Sequence, residues 1–241
     1  QVALDILELK RALQIAQESC EGGADWIEVG TPLIKSEGMQ AVRSMRDYFP
    51  DSIIVADMKV ADTGTMEVEM AAKAGADIVC ILADADDSVV AEAVRASRLY
   101  GIRIMADLIN VREPISRAGE LEAMGVDIIC AHAGIDQQMT GKTSLELLAS
   151  LACQLHIPLA VAGGIDAAGA GEAVRCGADI VIVGGWITRS ADVTGSTKKI
   201  RSELDNPSIE PVEKKSPDEE IRAILLQVAA PNVSDAMHRK G

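Results

Sequence analysis

Aromatic residues are almost absent from this sequence. Two tryptophans, two tyrosines and one phenylalanine make up 2% of the 241 residues, although 48% of the chain is hydrophobic. A core must therefore be built from aliphatic side chains and methionine, which is the usual filling of buried parallel sheets. At this length the chain forms either one large α/β domain or two small ones.

Basic residues are also few. Lys and Arg number 23 against 37 Asp and Glu, which gives a formal net charge of −14 at pH 7. This balance argues against nucleic acid or an anionic membrane surface as a partner. It still allows a phosphorylated small molecule, because backbone N–H groups and helix N-termini bind phosphate without net positive charge.

The sequence lacks the patterns of metal clusters, disulfide frameworks and membrane spans. Its five cysteines show no CxxC spacing and lie in apolar surroundings, which is typical of reduced packing residues. No apolar run approaches the length of a membrane-spanning helix. The first apolar stretch carries Asp5 and Glu8, so it is not a signal peptide. These absences predict a cytoplasmic protein.

A fourfold repeat is present instead. Four similar segments end in aspartates that are 52, 50 and 52 residues apart: 22–25, 74–77, 124–127 and 176–179. Each segment holds a glycine where an amphipathic stretch ends, and a C′ residue of a helix often requires positive φ. An apolar run follows each aspartate, so each repeat predicts the end of a helix and the start of a strand.

A further apolar strand lies between successive repeats. The eight predicted strands are 2–4, 26–29, 53–56, 78–82, 103–106, 128–131, 158–161 and 180–183. Two βα units in each period of about fifty residues predict an α/β fold of the (β/α)₈ TIM-barrel type over residues 1–204. A doubly wound open sheet is the alternative, and it explains the fourfold repeat less naturally.

The tail of the chain has a different character. Residues 205–216 contain Pro207 and Pro211 among mixed charges and show no periodicity, so they are predicted to be a linker. Ser216-Pro217-Asp218-Glu219 is a helix-start pattern. Residues 217–241 are therefore interpreted as the helical start of a truncated second domain.

The segment Asp57-Met58-Lys59-Val60-Ala61-Asp62 is the most informative part of the chain. It follows the apolar run 53–56, and residues i and i+2 of a strand share a face, so Asp57 and Lys59 point the same way. Charges that enter a core are costly unless they are paired or used. The array predicts an active site at the C-terminal end of a barrel strand; a salt bridge that ties the strand to its loop is the alternative.

Other polar residues follow the remaining strands at the same end of the barrel: Asp5, Glu28, Asp107 and His132. Taken singly, a strand-end aspartate commonly caps a helix, and a lone histidine can be a satisfied core residue. Polar groups from five strands that converge on one rim favour an active site instead.

Two glycine pairs follow the predicted seventh and eighth strands. They are Gly163-Gly164 and Gly184-Gly185. Glycine lets the backbone approach an anion closely, and phosphate binding after these two strands is frequent in such barrels. Tight turns that serve packing alone are the alternative.

Together these residues predict an enzyme that acts on a phosphosugar. Glu28 and Asp57 are oxygen ligands suited to Mg²⁺, which takes few protein ligands and keeps several waters. A metal ion and the Lys59 ammonium are groups that stabilise an enediolate.

The motifs resemble those of the orotidine 5′-monophosphate decarboxylase suprafamily over residues 2–204. The segments that carry the resemblance are Asp57-x-Lys59-x-x-Asp62, 3–5, 28–32 and 162–165. Within the suprafamily, the segments 107–110, 132–138 and 183–185 are most similar to the 3-hexulose-6-phosphate synthase branch. That branch implies a Mg²⁺-dependent aldol reaction of formaldehyde with ribulose 5-phosphate.

The resemblance also implies roles for individual residues. Glu28 and Asp57 would hold Mg²⁺, Lys59 would stabilise the enediolate oxygen, and Asp5 would orient the substrate. His132 would be the proton shuttle. Asp62 would reach into the neighbouring subunit's site, which implies a homodimer with shared active sites.

Two departures and two alternatives accompany this resemblance. The branch that decarboxylates 3-keto-L-gulonate 6-phosphate usually carries an arginine soon after the strand-six residue, and His132-Ala133-Gly134 lacks it. Relatives often place an arginine after the strand-eight glycines, where this chain has Trp186, with Arg189 three residues further on.

A non-catalytic, partner-binding regulator is the alternative function of another class. The 217–241 tail resembles the start of a regulator-of-ribonuclease-activity-A-like domain.

Overall fold

The computed structural model describes residues 1–134 and 144–207 of the chain. Eight strands alternate with helices. The strands are β1 (Val2–Leu4), β2 (Trp26–Val29), β3 (Ile53–Val60), β4 (Ile78–Leu82), β5 (Arg103–Asp107), β6 (Ile128–His132), β7 (Leu159–Ala162) and β8 (Ile180–Val181).

Helices follow the strands along the described parts of the chain, and two of the intervals contain a pair. The helices are α1 (Leu9–Glu21), α2 (Thr31–Glu37), α3 (Gln40–Tyr48), α4 (Gly64–Ala74), α5 (Asp87–Tyr100), α6 (Pro114–Ala123), α7 (Ser144–Ala152), α8 (Ala167–Arg175), α9 (Gly185–Thr188) and α10 (Val193–Asp205).

The strands form a parallel sheet in the order of the sequence, and the sheet closes on itself. Each of β1 to β7 pairs with the next strand. Closure comes from the backbone at Val183, whose carbonyl accepts from Ala3 N at 2.9 Å and whose N–H donates to Gln1 O at 3.0 Å. This closed order confirms the predicted (β/α)₈ barrel and is incompatible with the open, doubly wound alternative.

The repeat glycines end helices, or the turns after them, as the pattern predicts. Gly23, Gly75, Gly125 and Gly177 all have positive φ, between 91° and 100°. That backbone conformation is strained for other L-residues, which explains why a glycine recurs in each quarter of the barrel.

The repeat aspartates have a defined structural role at the N-terminal end of the barrel. Asp127 N donates to Ile104 O at 3.1 Å, and Asp127 Oδ2 accepts from Ile104 N at 2.8 Å. The same reciprocal pair of hydrogen bonds joins Asp77 to Ile54 and Asp179 to Leu159. Each aspartate therefore fixes the start of its own strand against the preceding one.

Arginines from the surrounding helices contact three of the four repeat aspartates. Arg98 Nη1 lies 2.8 Å from Asp127 Oδ1, and its Nη2 donates to Gly125 O at 2.8 Å. Arg46 pairs with Asp77 and also donates to Gly75 O at 2.9 Å. Arg201 lies 2.8 Å from Asp25. The helix layer and the sheet are thus bonded together at the end of the barrel away from the strand C-termini.

We predict that Asp127→Ala lowers the free energy of unfolding by about 1–3 kcal/mol, because it leaves the Ile104 N–H without its acceptor. Urea denaturation followed by circular dichroism measures the change. The exposed Asp51 is the matched control, and Asp51→Ala should stay within about 0.5 kcal/mol of the parent chain. Equal destabilisation by both substitutions would contradict the structural role of Asp127.

The core has two parts. Small and aliphatic side chains fill the barrel interior, among them Val55, Cys80, Met105 and Cys130, and a larger layer lies between the sheet and the helices. This aliphatic filling agrees with the composition. The barrel is therefore a packed scaffold rather than a pore, and the polar residues lie above the interior layers at the strand C-termini.

The C-terminal boundary differs slightly from the prediction. Helix α10 continues through Asp205, one residue beyond the predicted end of the barrel. The predicted second domain at 217–241 and nearly all of the predicted linker lie outside the described residues. Within the described ranges, no helix has the length and apolar character needed to cross a membrane.

Candidate active site

Strand β3 is irregular where it carries the charged residues. Its register with β4 shifts, because Ala56 pairs with Val79 and Val60 pairs with Ile81. Lys59 also adopts a left-handed backbone, with φ of 49°. A non-glycine residue in that region costs on the order of 1 kcal/mol or more and persists only where its surroundings enforce it. Asp57 and Lys59 lie on the same side of β3 as predicted, and they are in contact, but the backbone between them departs from regular strand alternation.

The Lys59 ammonium lies between two carboxylates. Its Nζ is 3.1 Å from Asp57 Oδ1 and 2.7 Å from Asp107 Oδ2. Burial alone would lower the pKa of Lys59, but the negative charges of Asp107 and Asp57 outweigh that effect and raise the pKa above its usual value. Lys59 is therefore a fixed positive charge at neutral pH.

Asp107 connects Lys59 to His132. His132 Nδ1 lies 2.9 Å from Asp107 Oδ2, and Ile109 N donates to Asp107 Oδ1 at 2.9 Å. Burial would raise the pKa of Asp107, but the hydrogen bond and charge of His132 together with Lys59 lower it to about 2. Asp107 is ionised and 3% exposed, so it holds both the Lys59 ammonium and the His132 ring in place.

Asp57 has a second partner that sequence reasoning missed. Thr31 Oγ1 lies 2.7 Å from Asp57 Oδ2 and 2.8 Å from Asp57 O. Thr31 belongs to the Gly30-Thr31-Pro32 segment that follows β2. That segment carried the family resemblance, so it was the available signal, but nothing in the sequence indicated which residue the hydroxyl contacts.

Glu28 is a buried carboxylate on the neighbouring strand. It is 7% exposed, and the side-chain amide of Gln1 donates to its Oε2. Burial, followed by the negative charges of Asp57 and Asp5, raises the pKa of Glu28 well above its usual value. The negative charges of Asp57 and Asp5 thus disfavour the ionised form of Glu28, and a bound cation would offset them.

Asp5 lies between two glycines at the rim. A Cβ atom on Gly30 would come within 2.3 Å of Asp5 Oδ1, and one on Gly184 would lie 3.5 Å from Oδ2. Asp5 is exposed as a residue, but the surrounding protein removes part of the water from its carboxyl group. This desolvation, followed by the negative charge of Asp57, raises the pKa of Asp5. Asp5 therefore connects the charged cluster to the second glycine pair.

The two glycine pairs follow neighbouring strands: Gly163-Gly164 bends after β7, and Gly184-Gly185 opens helix α9. Gly163 and Gly164 have φ of 99° and 70°, which a side chain would strain. The Arg189 guanidinium occupies the space that a side chain on Gly185 would need, with atoms 2.3–2.4 Å from that Cβ position. Within the described ranges, the guanidinium of Arg189 has no ion-pair partner, so it lies beside the glycines as a free positive charge.

Asp62 is not part of this cluster in the single chain. It is exposed on the loop after β3, and its Oδ1 accepts from Thr63 N at 2.7 Å. The structure therefore joins Asp57, Lys59, Asp107 and His132 directly, with Glu28 and Asp5 beside them, and leaves Asp62 exposed on its loop.

The donor set suits magnesium rather than zinc. Among the described residues there is no group of three or more His, Cys, Asp or Glu side chains arranged to hold a metal ion. Zinc sites usually need three or four such ligands, whereas Mg²⁺ binds through one or two carboxylates and keeps waters. Glu28 and Asp57 fit that second pattern.

The fold and this rim define a class of protein. A closed (β/α)₈ barrel carries paired charges at its strand C-termini beside two glycine pairs. This arrangement is typical of barrel enzymes that act on a phosphorylated small molecule. The profile of the Orotidine 5'-phosphate decarboxylase / HUMPS family matches residues 1–200, and the chain belongs to this family.

Individual relatives narrow the comparison. The chain is 37% identical over 204 residues to the 3-hexulose-6-phosphate synthase of Mycobacterium gastri, which covers 85% of this chain and 98% of the relative. The crystal structure of 3-hexulose-6-phosphate synthase from Salmonella typhimurium superposes with a TM-score of 0.82 at 33% identity, covering 86% of this chain and 98% of that one.

A decarboxylase is a more distant neighbour. The crystal structure of 3-keto-L-gulonate-6-phosphate decarboxylase from Vibrio cholerae gives a TM-score of 0.77 at 27% identity, with 86% of this chain and 97% of that chain covered. The resemblance found in the sequence motifs is confirmed, and the synthase branch is the more similar of the two. The resemblance of the tail to a second domain stays a prediction.

Proposed function

We propose that this protein is a 3-hexulose-6-phosphate synthase, a carbon–carbon lyase that adds formaldehyde to ribulose 5-phosphate and catalyses the reverse cleavage. The observation that carries the proposal is the Lys59 ammonium, held between Asp57 and Asp107 beside Glu28 and His132. This arrangement places a fixed positive charge next to a titratable base, as an enediolate-forming reaction requires.

The proposed chemistry begins with removal of a proton from C1 of ribulose 5-phosphate. His132 accepts this proton, and the resulting negative charge on the C2 oxygen is stabilised by the Lys59 ammonium. C1 then forms a bond to the formaldehyde carbon while the C2 carbonyl re-forms, and the formaldehyde oxygen takes up the proton held by His132, so that no net proton is gained or lost. Asp107 orients the His132 ring through Nδ1, and Asp5 orients the substrate hydroxyls.

Glu28 and Asp57 are the residues that would hold Mg²⁺ in this mechanism. When bound, the ion supplies additional positive charge for the developing oxyanion. The raised pKa of Glu28 supports this assignment, because burial and then the charges of Asp57 and Asp5 disfavour its ionised form, which a bound cation would favour.

The substrate phosphate would bind at the two glycine pairs. Gly163, Gly164, Gly184 and Gly185 offer main-chain N–H groups that side chains do not shield. Arg189 would add a guanidinium, which is well suited to phosphate recognition. The chain thus provides an arginine near this position although Trp186 occupies the place where relatives often carry one.

We predict that Arg189→Gln raises the KM for ribulose 5-phosphate about tenfold and changes kcat little, because one charge-assisted contact to a non-reacting group is worth about 1.5–3 kcal/mol at most. Steady-state kinetics measure both constants. Arg43, exposed on α3, is the control, and Arg43→Gln should leave KM unchanged. An unchanged KM for Arg189→Gln would remove this residue from the phosphate site.

A homodimer with shared sites would give Asp62 its role. Asp62 is exposed, and helix α4 that follows it presents Met66 and Met70 to solvent at 61% and 43% exposure. An exposed apolar pair beside an unused carboxylate supports burial of this face against a second copy, with Asp62 entering that copy's site.

Mixing two inactive variants tests this sharing. A dimer formed from one Asp62→Ala chain and one Lys59→Ala chain contains one site with both substitutions and one intact site. Random exchange should therefore restore about a quarter of the parent activity, whereas each variant alone stays inactive. If exchange is confirmed by mass spectrometry and no activity returns, Asp62 acts within its own chain or not at all.

The remaining partner and location assignments follow from composition. The net charge of −14 speaks against nucleic acid or an anionic membrane surface as a partner. The five cysteines are free thiols, which suits a reducing cytoplasm.

The deciding assay incubates the protein with ribulose 5-phosphate, formaldehyde and Mg²⁺, and follows the loss of formaldehyde. Mg²⁺-dependent consumption of one formaldehyde per ribulose 5-phosphate is expected. Turnover of 3-keto-L-gulonate 6-phosphate with release of CO₂, without formaldehyde consumption, would assign the decarboxylase function instead. No turnover of either substrate would favour a non-catalytic regulator.

A further inference from the structure

The Thr31 hydroxyl has two acceptors, and both belong to Asp57. Its Oγ1 lies 2.7 Å from Asp57 Oδ2 and 2.8 Å from Asp57 O. A hydroxyl carries one hydrogen, so it donates to one of these oxygens at a time. Thr31 is the first residue of α2, between the extended Gly30 and Pro32, which restricts how far the hydroxyl can move.

The main-chain acceptor lies at the irregular part of β3. The pairing of β3 with β4 shifts between Ala56 and Val60, so the backbone of Asp57 is outside the regular ladder there. Thr31 contacts this carbonyl from α2 and thereby anchors the segment that bears Asp57 and Lys59. The carboxylate itself is held from two sides, by Thr31 at Oδ2 and by Lys59 Nζ at Oδ1.

We propose that Thr31 is a positioning residue that holds the Asp57 carboxylate in the orientation needed to bind a divalent cation. The inference rests on the proposed function, since it assigns Asp57 the same role. When a cation binds Asp57 Oδ2, the Thr31 hydroxyl can donate to the Asp57 main-chain carbonyl instead. Thr31 therefore orients the Asp57 side chain without competing with the ion. Partners of this kind around metal ligands typically change affinity by about 10–100-fold when removed.

Direct cation binding tests the proposal without relying on turnover. Mn²⁺ serves as the probe, and its binding to the substrate-free chain is measured by electron paramagnetic resonance. Thr31→Val keeps the shape of the side chain and removes the hydroxyl, and it is expected to weaken Mn²⁺ binding about 10–100-fold. Thr31→Ser keeps the hydroxyl and should bind within about threefold of the parent chain.

Thermal unfolding in the presence of EDTA separates positioning from packing. A purely structural Thr31 would lower the Tm in the valine variant and leave Mn²⁺ affinity unchanged, and that result would overturn the proposal. Equal weakening by valine and serine would overturn it too, because the hydroxyl would then be irrelevant. If the valine variant does not fold, Thr31→Ala is measured in its place against the same serine control.

The outcome also distinguishes this inference from the proposed function. If the parent chain binds Mn²⁺ at a site that Asp57→Asn abolishes, and Thr31→Val binds equally well, only the role of Thr31 is wrong. If the parent chain has no such site, the metal assignment in the proposed function fails and the inference fails with it.

Discussion

Lys59→Ala is expected to lower kcat by at least about 10²–10³-fold, because removal of a preorganised group that stabilises a developing oxyanion has effects of this size. The ammonium lies 2.7 Å from Asp107 and 3.1 Å from Asp57, so the site holds its charge in a fixed place before substrate arrives. Single-turnover measurements with saturating ribulose 5-phosphate separate this effect from binding.

Borohydride trapping distinguishes two kinds of aldolase chemistry at Lys59. A lysine that forms a Schiff base must be deprotonated, whereas the carboxylates raise the pKa of Lys59. Borohydride reduction in the presence of ribulose 5-phosphate should therefore leave no covalent adduct on Lys59. Lys199, exposed on α10, is the control, and Lys199→Ala should retain full activity. A trapped adduct on Lys59 would show that the electrostatic role is wrong.

Asp107→Asn should reduce kcat by about 10²–10⁴-fold, the range associated with loss of acid–base function. The substitution removes the charge that lies between Lys59 and His132, and an amide can present a donor instead of an acceptor to Nδ1. The pH profile of kcat should change shape as well, because the His132 ring, the proposed proton shuttle, loses its carboxylate partner. A variant that keeps the parent profile would exclude His132 as the proton shuttle.

The pKa of Asp107 also predicts how stability depends on pH. Its folded-state pKa of about 2 lies below the ordinary value of 3.8, so the ionised carboxylate stabilises the fold at neutral pH by about 2 kcal/mol. This contribution is complete above about pH 4 and is lost as the pH falls through 2. The stability difference between the parent chain and Asp107→Asn should therefore shrink over that range. Asp51→Asn, at an exposed position, is the matched control for the loss of one carboxylate.

Much of the fold could be predicted because the repeat encodes it locally. Each quarter contains a glycine that needs positive φ, and in three of the four the aspartate bonds back to the preceding strand; both requirements appear in the sequence as residue identities. Strand ends are less visible. Sequence patterning ended β3 at Ala56, whereas the strand continues irregularly to Val60, because the irregularity depends on contacts with β4 and α2.

The residues that form the site could be predicted from the sequence, but several of their side-chain contacts could not. Asp57, Lys59, Asp107 and His132 were expected at one rim, and the structure brings them into contact. The contact of Thr31 with Asp57 and the position of Arg189 over Gly185 depend on how α2 and α9 pack after their strands. No local pattern specifies those distances. The role of Asp62 depends on a second copy of the chain and stays a prediction.

Closure of the ring at Val183 has a consequence for ligand binding. The last strand, β8, is only two residues long, and the junction between the two ends of the sheet relies on a few main-chain bonds around Gln1, Ala3 and Val183. Asp5 and Gly184 lie on either side of that same junction. A sugar phosphate held by both would act as a cross-link between the first and last parts of the barrel. Substrate binding would then stabilise the junction between β1 and β8 against local unfolding. The substrate-free enzyme would be the form that unfolds most readily.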